Sequence, residues 1–203
     1  ATKSNWWDKL LKIVIAVASA VLGALGVQAM LPDLYFILKL RTLYLKKVRF
    51  INLIVIHCSA TRCDRSYTEH ELTTDHLRRG FSGAGYHYYI RRNGDIKTLR
   101  PLERSGAHAK GQRYSVGICY EGGLDERGHP ADTRTDFQKH SLRVLVMLLL
   151  RDYPDSRLCG HRDLSPDLNR NSEIEPEEWI KACPCFDAAS ILQEPPPPNP
   201  VSL

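Results

Sequence analysis

Residues 51–61 read INLIVIHCSAT, a short run of mostly branched aliphatic side chains that leads into a histidine, a cysteine and two hydroxyl residues. The aliphatic part, residues 51–56, is typical of a buried strand. We therefore expect the main domain of this chain to open with a strand that ends at His57.

Further elements can be predicted downstream of this strand. Residues 68–79 have the pattern of a helix, with Thr68 and Glu71 as a capping box and Gly80 at its end. Residues 135–153 predict a second, strongly apolar helix that lies against the sheet and is ended by Pro154. Strands are predicted over residues 86–91, 96–99, 115–120 and 157–159, with Asn93-Gly94 as a hairpin turn. The pattern predicts an α/β or α+β domain, with a central mixed sheet flanked by helices.

The composition is that of a globular protein. The 203 residues are 43% hydrophobic and 25% charged, which suits one domain with appendages. The formal net charge is +5, and basic residues cluster between Lys39 and Arg49. A basic surface suits an anionic polymer, but aromatic and basic residues are not interleaved as in a nucleic-acid binder, so we expect no nucleic-acid partner. The six cysteines are compatible with disulfides in an exported protein, or with ligands and buried thiols in a reducing compartment.

The N-terminal segment differs from the rest of the chain. Residues 13–31 carry no charge, and their length is close to the ~20 residues that span a bilayer. They predict an N-terminal hydrophobic helix that acts as a membrane segment or signal-anchor, with a buried helix as the alternative. The expected organisation is 1–31 for this segment, 32–50 for a basic linker, 51–190 for the main domain and 191–203 for a Pro-rich tail.

Three residues have the side chains and the local setting of metal ligands. His57 ends the first strand, His161 follows the last strand, and Cys183 lies in the segment KACPC. Two imidazoles and a thiolate leave a tetrahedral zinc ion with one open position, as in catalytic sites. A closed structural site would need a fourth ligand, for which Cys58 and Cys185 are candidates.

Five short motifs follow one another between residues 54 and 187. They are HCSAT at 57–61, GYH at 85–87, GAHAKG at 106–111, SVGI at 115–118 and KACP at 181–184. With these motifs the stretch resembles the N-acetylmuramoyl-L-alanine amidases of the phage-lysozyme kind, which are related to peptidoglycan-recognition proteins. The resemblance covers about two-thirds of the chain. It implies a mixed sheet with a zinc cleft on one face, and hydrolysis of the amide between N-acetylmuramic acid and L-alanine in peptidoglycan.

The same resemblance implies roles for single residues. His57, His161 and Cys183 match the family's zinc ligands. Tyr86 and Lys181 match its two catalytic positions outside the metal shell: Lys181 is suited to stabilise an oxyanion, and Tyr86 to hydrogen-bond the water or intermediate. His108 and His87 are expected to contact substrate in the cleft, with structural hydrogen bonding as the alternative.

A second metal site is predicted in the interval between His161 and Cys183. Oxygen-bearing side chains recur there with the spacing of a calcium-binding EF-hand loop, although Ser172 stands where that loop normally has glycine. The candidate calcium ligands are Asp167, Asn169, Asn171, Glu173 and Glu178. The alternative is a solvated acidic insert without a metal.

Two alternatives to the amidase remain at the level of sequence. One is a binding module that recognises peptidoglycan without cutting it. The other is a small membrane protein whose first 31 residues carry the main function, either as a holin-like protein or as an anchor. The expected partners are peptidoglycan and, through the N-terminal segment, a membrane, and we expect a monomer. More basic residues follow the apolar run than precede it, which favours a cytoplasmic domain. Export to the cell envelope and release by lysis are therefore both compatible with the sequence.

Overall fold

A computed structural model describes residues 49–193. The strand predicted at the start of the domain is β1, Leu53–Cys58, and all six of its residues are buried. It is an interior strand of a five-stranded sheet, with a neighbouring strand on each side, which is why the run carries no polar alternation. The hydrophobic segment, most of the basic linker and the proline run of the tail lie outside the described residues. Within residues 49–193, no helix is long and apolar enough to cross a membrane.

The sheet is mixed, as predicted. The strands that follow β1 are β2 (Thr61–Arg62), β3 (Tyr88–Ile90), β4 (Ile96–Thr98), β5 (Ser115–Tyr120), β6 (Gly123–Leu124) and β7 (Arg157–Gly160). The order in the main sheet is β4-β3-β5-β1-β7, and β2 pairs with β6 in a separate two-stranded sheet. Strand β1 is parallel to both β5 and β7, whereas β3 and β4 form the antiparallel hairpin predicted around Asn93-Gly94.

Two α-helices begin at the capping threonines. Helix α1 spans Glu69–Arg78, and Thr68 and Glu71 form the predicted capping box. Helix α2 spans Asp136–Asp152 and has a second capping box between Thr135 and Gln138. Each box satisfies backbone N–H groups that the first helical turn leaves without partners. Short 3-10 helices lie at Arg162–Leu164, Pro176–Glu178 and Ala188–Leu192.

The two faces of β1 have different surroundings. Side chains alternate along a strand, so Leu53, Val55 and His57 share one face. Leu53 and Val55 pack there with Cys159. The register pairs His57 with Cys119 of β5, and Ser115 and Gly117 lie on the same face as Cys119. His57 therefore lies near the C-terminal end of β1, on the face that also carries Ser115 and Gly117.

Candidate functional site

The structure brings His57, His161 and Cys183 together. Their potential ligand atoms all lie within 4.8 Å of one another. His57 is in β1, and His161 directly follows β7, which runs parallel to β1. The carboxyl ends of neighbouring parallel strands meet at one edge of a sheet, so the two rings come to 4.7 Å between centroids. The Sγ atom of Cys183 lies 3.8 Å from Nδ1 of His57.

Backbone hydrogen bonds hold Cys183 against the two strand ends. The N–H of Arg162 donates to the carbonyl of Cys183 over 2.7 Å, which ties this segment to the turn after β7. The N–H of Cys58 lies 3.3 Å from the Sγ atom of Cys183 and donates to it. Gly160 permits the approach, since a Cβ atom there would lie 2.6 Å from the Cδ atom of Pro184. These contacts place the Cys183 sulfur beside the two strand ends.

The imidazoles of the cluster are held in the neutral state. Burial, followed by the charges of His108, His161 and Lys181, lowers the pKa of His57 well below its usual value. Burial and then Lys181 also lower the pKa of His161. A histidine binds a metal through a deprotonated ring nitrogen, so both shifts favour a metal-binding state at neutral pH.

The donor set fits zinc. Two imidazole nitrogens and a thiolate are the ligands that zinc takes in catalytic sites with an open fourth position. Among the described residues, this trio is the one group of histidine, cysteine and carboxylate side chains arranged to hold a metal. The candidate fourth ligands are engaged with each other instead: the Sγ atoms of Cys58 and Cys185 lie 3.8 Å apart. All six cysteines lie within residues 49–193 and are free thiols.

Tyr86 and Lys181 both lie close to this cluster. The Tyr86 ring centroid is 5.0 Å from that of His57. Burial raises the pKa of Tyr86 well above its usual value, so its hydroxyl keeps its proton and can donate a hydrogen bond. Lys181 is exposed, and its charge contributes to the lowered pKa of His57 and His161. A proton donor and a cation therefore accompany the cluster.

A cavity of about 350 Å³ opens beside Tyr86. Its other lining residues come from the end of β1 and from helix α1 with its flanks; they are Ser59, Tyr67, Leu72, Asp75, His76, Arg78 and Arg79. Tyr86 lies next to His57 and also lines the cavity, so the cavity adjoins the cluster. The sequence motifs did not point to these helix residues, although a polar helix face beside the first strand was a usable signal.

His87 and His108 both make hydrogen bonds to other groups of the protein. His87 is fully buried; its Nδ1 accepts the N–H of Gly117, and its Nε2 lies 3.0 Å from the carbonyl oxygen of Arg104. His108 is engaged through both ring nitrogens, with His57 at 2.9 Å and Ser115 at 3.1 Å. Both rings thus make structural hydrogen bonds, the alternative that the sequence left open.

The calcium site predicted between His161 and Cys183 gains no support from the structure. The carboxylate of Asp167 accepts the N–H groups of Arg170 and Ser172, and Glu178 accepts those of Leu168 and Asn169. The amide oxygens of Asn169 and Asn171 also accept backbone N–H groups two residues ahead. These oxygens stabilise the insert by backbone hydrogen bonds. Glu173, the remaining candidate ligand, is exposed.

Two known protein families match parts of this chain. Residues 47–178 match the family described as N-acetylmuramoyl-L-alanine amidase, and residues 1–31 match a family of unknown function. The first match ends before Lys181 and Cys183, so the roles considered for these two residues depend on the geometry described above.

Individual proteins are similar to parts of this chain. An uncharacterized protein of Haemophilus influenzae is 46% identical over 101 residues, which cover 49% of this chain and 87% of that protein. The endolysin of Enterobacteria phage T3 is 36% identical over 135 residues, which cover 66% of this chain and 80% of the endolysin.

Solved structures share the fold. The N-acetylmuramoyl-L-alanine amidase LysC from Clostridium intestinale superimposes with a TM-score of 0.51 at 30% identity, covering 66% of this chain and 76% of that one. The Drosophila peptidoglycan recognition protein SD gives a TM-score of 0.54 at 20% identity, covering 74% of this chain and 85% of its own. The second similarity concerns the fold alone.

Proposed function

Because the chain belongs to the N-acetylmuramoyl-L-alanine amidase family, we propose that residues 51–190 use zinc to hydrolyse the amide between N-acetylmuramic acid and L-alanine in peptidoglycan. The observation that carries the zinc assignment is the convergence of His57, His161 and Cys183 within 4.8 Å. A zinc ion bound there would act as a Lewis acid and would lower the pKa of a bound water to about 7.

Two residues outside the ligand set would serve the reaction. Lys181 is exposed near His57 and His161, where its ammonium group can stabilise the negative charge that develops on the scissile carbonyl oxygen. Tyr86 keeps its hydroxyl proton because burial raises its pKa, and the hydroxyl can orient a water or the substrate carbonyl by hydrogen bonding. Both roles use groups that stand beside the cluster before substrate arrives: the charge of Lys181 and the hydroxyl proton of Tyr86.

The cavity beside Tyr86 is the place that we propose for the stem peptide. It adjoins the cluster, and its rim carries Arg78 and Arg79 from the end of helix α1 and the residue after it. Stem peptides carry carboxylates, which guanidinium groups bind well. Asp75 partly offsets this charge by pairing with Arg78 at 3.1 Å, so Arg79 is the arginine with more of its charge available to substrate.

A peptidoglycan-binding module without catalysis is the main alternative to this function. The presence of Cys183 at the site favours the enzyme, because it completes the ligand set. The test is incubation of the purified full chain with sacculi, with mass spectrometry of the soluble products. Released stem peptides with a free L-alanine amino group support the amidase. If the protein binds sacculi but releases no peptide in the presence of zinc, the proposal is wrong.

The route to the cell wall remains a proposal as well. Relatives named as endolysins favour a chain that acts on the wall upon lysis. A membrane-associated role would depend on residues 1–31, which match a family of unknown function. Comparing the sacculus-cleaving activity of the full chain with that of residues 49–203 tests whether the N-terminal part contributes to the chemistry. The monomeric state and the calcium site stay predictions from sequence.

A further inference from the structure

The ring of His108 bridges His57 and strand β5. We propose that His108 is a positioning residue: it accepts the Nε2–H of His57 and thereby leaves the Nδ1 lone pair of His57 directed at the metal position. This inference rests on the proposed zinc site. It gives His108 a role different from the substrate contact that the sequence motif suggested.

The direction of each hydrogen bond can be assigned by starting from the Ser115 hydroxyl. The Ser115 hydroxyl lies 2.6 Å from the carbonyl oxygen of Gln112, which can only accept, so the hydroxyl hydrogen is used there. Ser115 Oγ is also 3.1 Å from Nε2 of His108. With its own hydrogen already donated, Ser115 Oγ accepts at this second contact. Nε2 of His108 therefore carries the proton.

The tautomer of His57 follows from that of His108. A neutral imidazole has one N–H and one acceptor nitrogen, so Nδ1 of His108 is the acceptor. It lies 2.9 Å from Nε2 of His57, which must then supply the N–H. Nδ1 of His57 is left with its lone pair, and this is the atom that lies 3.8 Å from Cys183 Sγ. Three consecutive hydrogen bonds thus select the ligand atom.

The position of the His108 ring is fixed by two glycines. A Cβ atom at Gly106 would lie 2.3 Å from Cδ2 of His108, and one at Gly117 would lie 2.4 Å from the same atom. Any side chain at either position would displace the ring. Gly117 and Ser115 lie on the same face of the sheet as His57, which brings the ring within reach of both its partners. The glycines therefore create the space in which the bridge forms.

The contacts also separate this role from substrate binding. Both ring nitrogens of His108 are occupied by protein partners, and His108 is not among the residues that line the cavity beside Tyr86. Partners of this kind orient a ligand ring, and their loss typically costs about 10–100-fold in metal affinity or activity. The expected effect is on zinc binding itself.

The test compares two variants of the full chain that differ in one acceptor. In His108→Asn, the amide oxygen stands near the position of Nδ1 and can accept the Nε2–H of His57; His108→Leu has no acceptor. Zinc affinity, measured by competition with a chelator, should fall about 10–100-fold in His108→Leu and by much less in His108→Asn. His140→Leu, a substitution of an exposed histidine on α2, is the control and should bind zinc as the parent does.

Two outcomes would overturn the proposal. One is zinc binding by His108→Leu as tight as that of the parent, even with activity lost, because that pattern belongs to a substrate contact. The other is an equal loss of zinc affinity in the Asn and Leu variants, because the acceptor would then be irrelevant.

A measurement on the unmodified chain covers the case in which the Leu variant does not fold. Long-range ¹⁵N NMR of the metal-free parent should show both His57 and His108 protonated on Nε2, and an Nδ1–H on either ring contradicts the assignment. A parent that binds no zinc would overturn the proposed function instead, and the NMR result would still decide the hydrogen-bond directions.

Discussion

Nδ1 of His57 and Sγ of Cys183 lie 3.8 Å apart, although 126 positions separate the two residues in the chain. His57 lies in strand β1, and Cys183 lies in a segment tied to the turn after β7 by the hydrogen bond from Arg162 N–H to the Cys183 carbonyl. The pairing of β7 with β1 therefore positions both this segment and His161. The candidate metal site depends on the tertiary fold of the whole domain.

Cys183→Ala should abolish zinc binding and amidase activity, because two imidazoles alone hold zinc weakly. Cys185→Ala is the matched control: it removes a thiol two residues away that contacts Cys58 and the carbonyl of Gly123. This control should keep about one zinc per chain. Metal analysis of both purified variants gives the comparison, and a zinc-loaded, active Cys183→Ala protein would refute the ligand assignment.

Lys181→Ala should keep zinc and lose kcat by about 100- to 1,000-fold, the usual effect of removing a group that stabilises an oxyanion. The side chain is exposed, so we expect little change in the free energy of unfolding. Lys181→Arg should recover part of the rate because it restores the positive charge. Kinetics with a soluble muropeptide measure the effect. Unchanged kcat in the Ala variant would remove Lys181 from the reaction.

Tyr86→Phe deletes the hydroxyl and leaves the ring, which packs 5.0 Å from that of His57. We expect a loss of about 100-fold in kcat, at the lower end of what a positioned proton donor contributes. Zinc content should be unchanged, since the ring keeps its packing. If Tyr86→Phe turns over substrate at the parental rate, the residue acts through packing alone.

Arg79→Ala should raise KM about tenfold with kcat nearly unchanged, because the guanidinium is proposed to bind a carboxylate of the stem peptide remote from the scissile bond. Arg65→Ala, at an exposed position that does not line the cavity, is the control for the loss of one positive charge. If KM rises equally in the two variants, the positive charge of the protein attracts the anionic polymer in general, and Arg79 does not belong to a stem-peptide subsite.

The metal-free protein should lose stability as the pH falls from about 6.5 toward 4. His87 is fully buried, and burial lowers its pKa from 6.5 to about 4. The unfolded chain takes up a proton at this residue below pH 6.5, whereas the folded chain does not, so protons favour unfolding in this interval. The contribution is up to about 1.4 kcal/mol per pH unit.

Urea unfolding of the metal-free chain at several pH values measures this dependence. The variant His87→Gln removes the titrating ring and should show a shallower slope between pH 6.5 and 5. A slope as steep in the variant as in the parent would contradict the assignment to His87.

The strands and helices could largely be predicted because their signals are local. Strand β5 has the predicted bounds, and the first helix begins after its predicted cap, Thr68. The second helix begins one residue later than predicted, because Thr135 is its N-cap. The strand predicted over 86–91 is shorter, Tyr88–Ile90, because pairing with both neighbouring strands is confined to these residues. The two-residue strands β2 and β6 were missed, since so short a pairing leaves no periodic pattern.

Part of the candidate site could be predicted from the sequence, and part of it could not. The residue types at 57, 161 and 183 suggested zinc, because two histidines and a cysteine are side chains that bind this metal. The bridge from His57 through His108 to Ser115 could not be predicted, because it needs the gaps left by Gly106 and Gly117 on two segments that meet only in the fold. The cavity at helix α1 was also missed, because none of the recognised motifs includes its helix residues.

The most direct test of the central claim is one experiment with three samples of the full chain: as purified, stripped of metal with a chelator, and stripped and then reloaded with zinc. Each is incubated with sacculi, and released peptides are measured by mass spectrometry beside the metal content. A zinc amidase releases stem peptides with free L-alanine amino groups in the first and third samples and none in the second. Equal release by the stripped and reloaded samples, or no release from any of them, would contradict it.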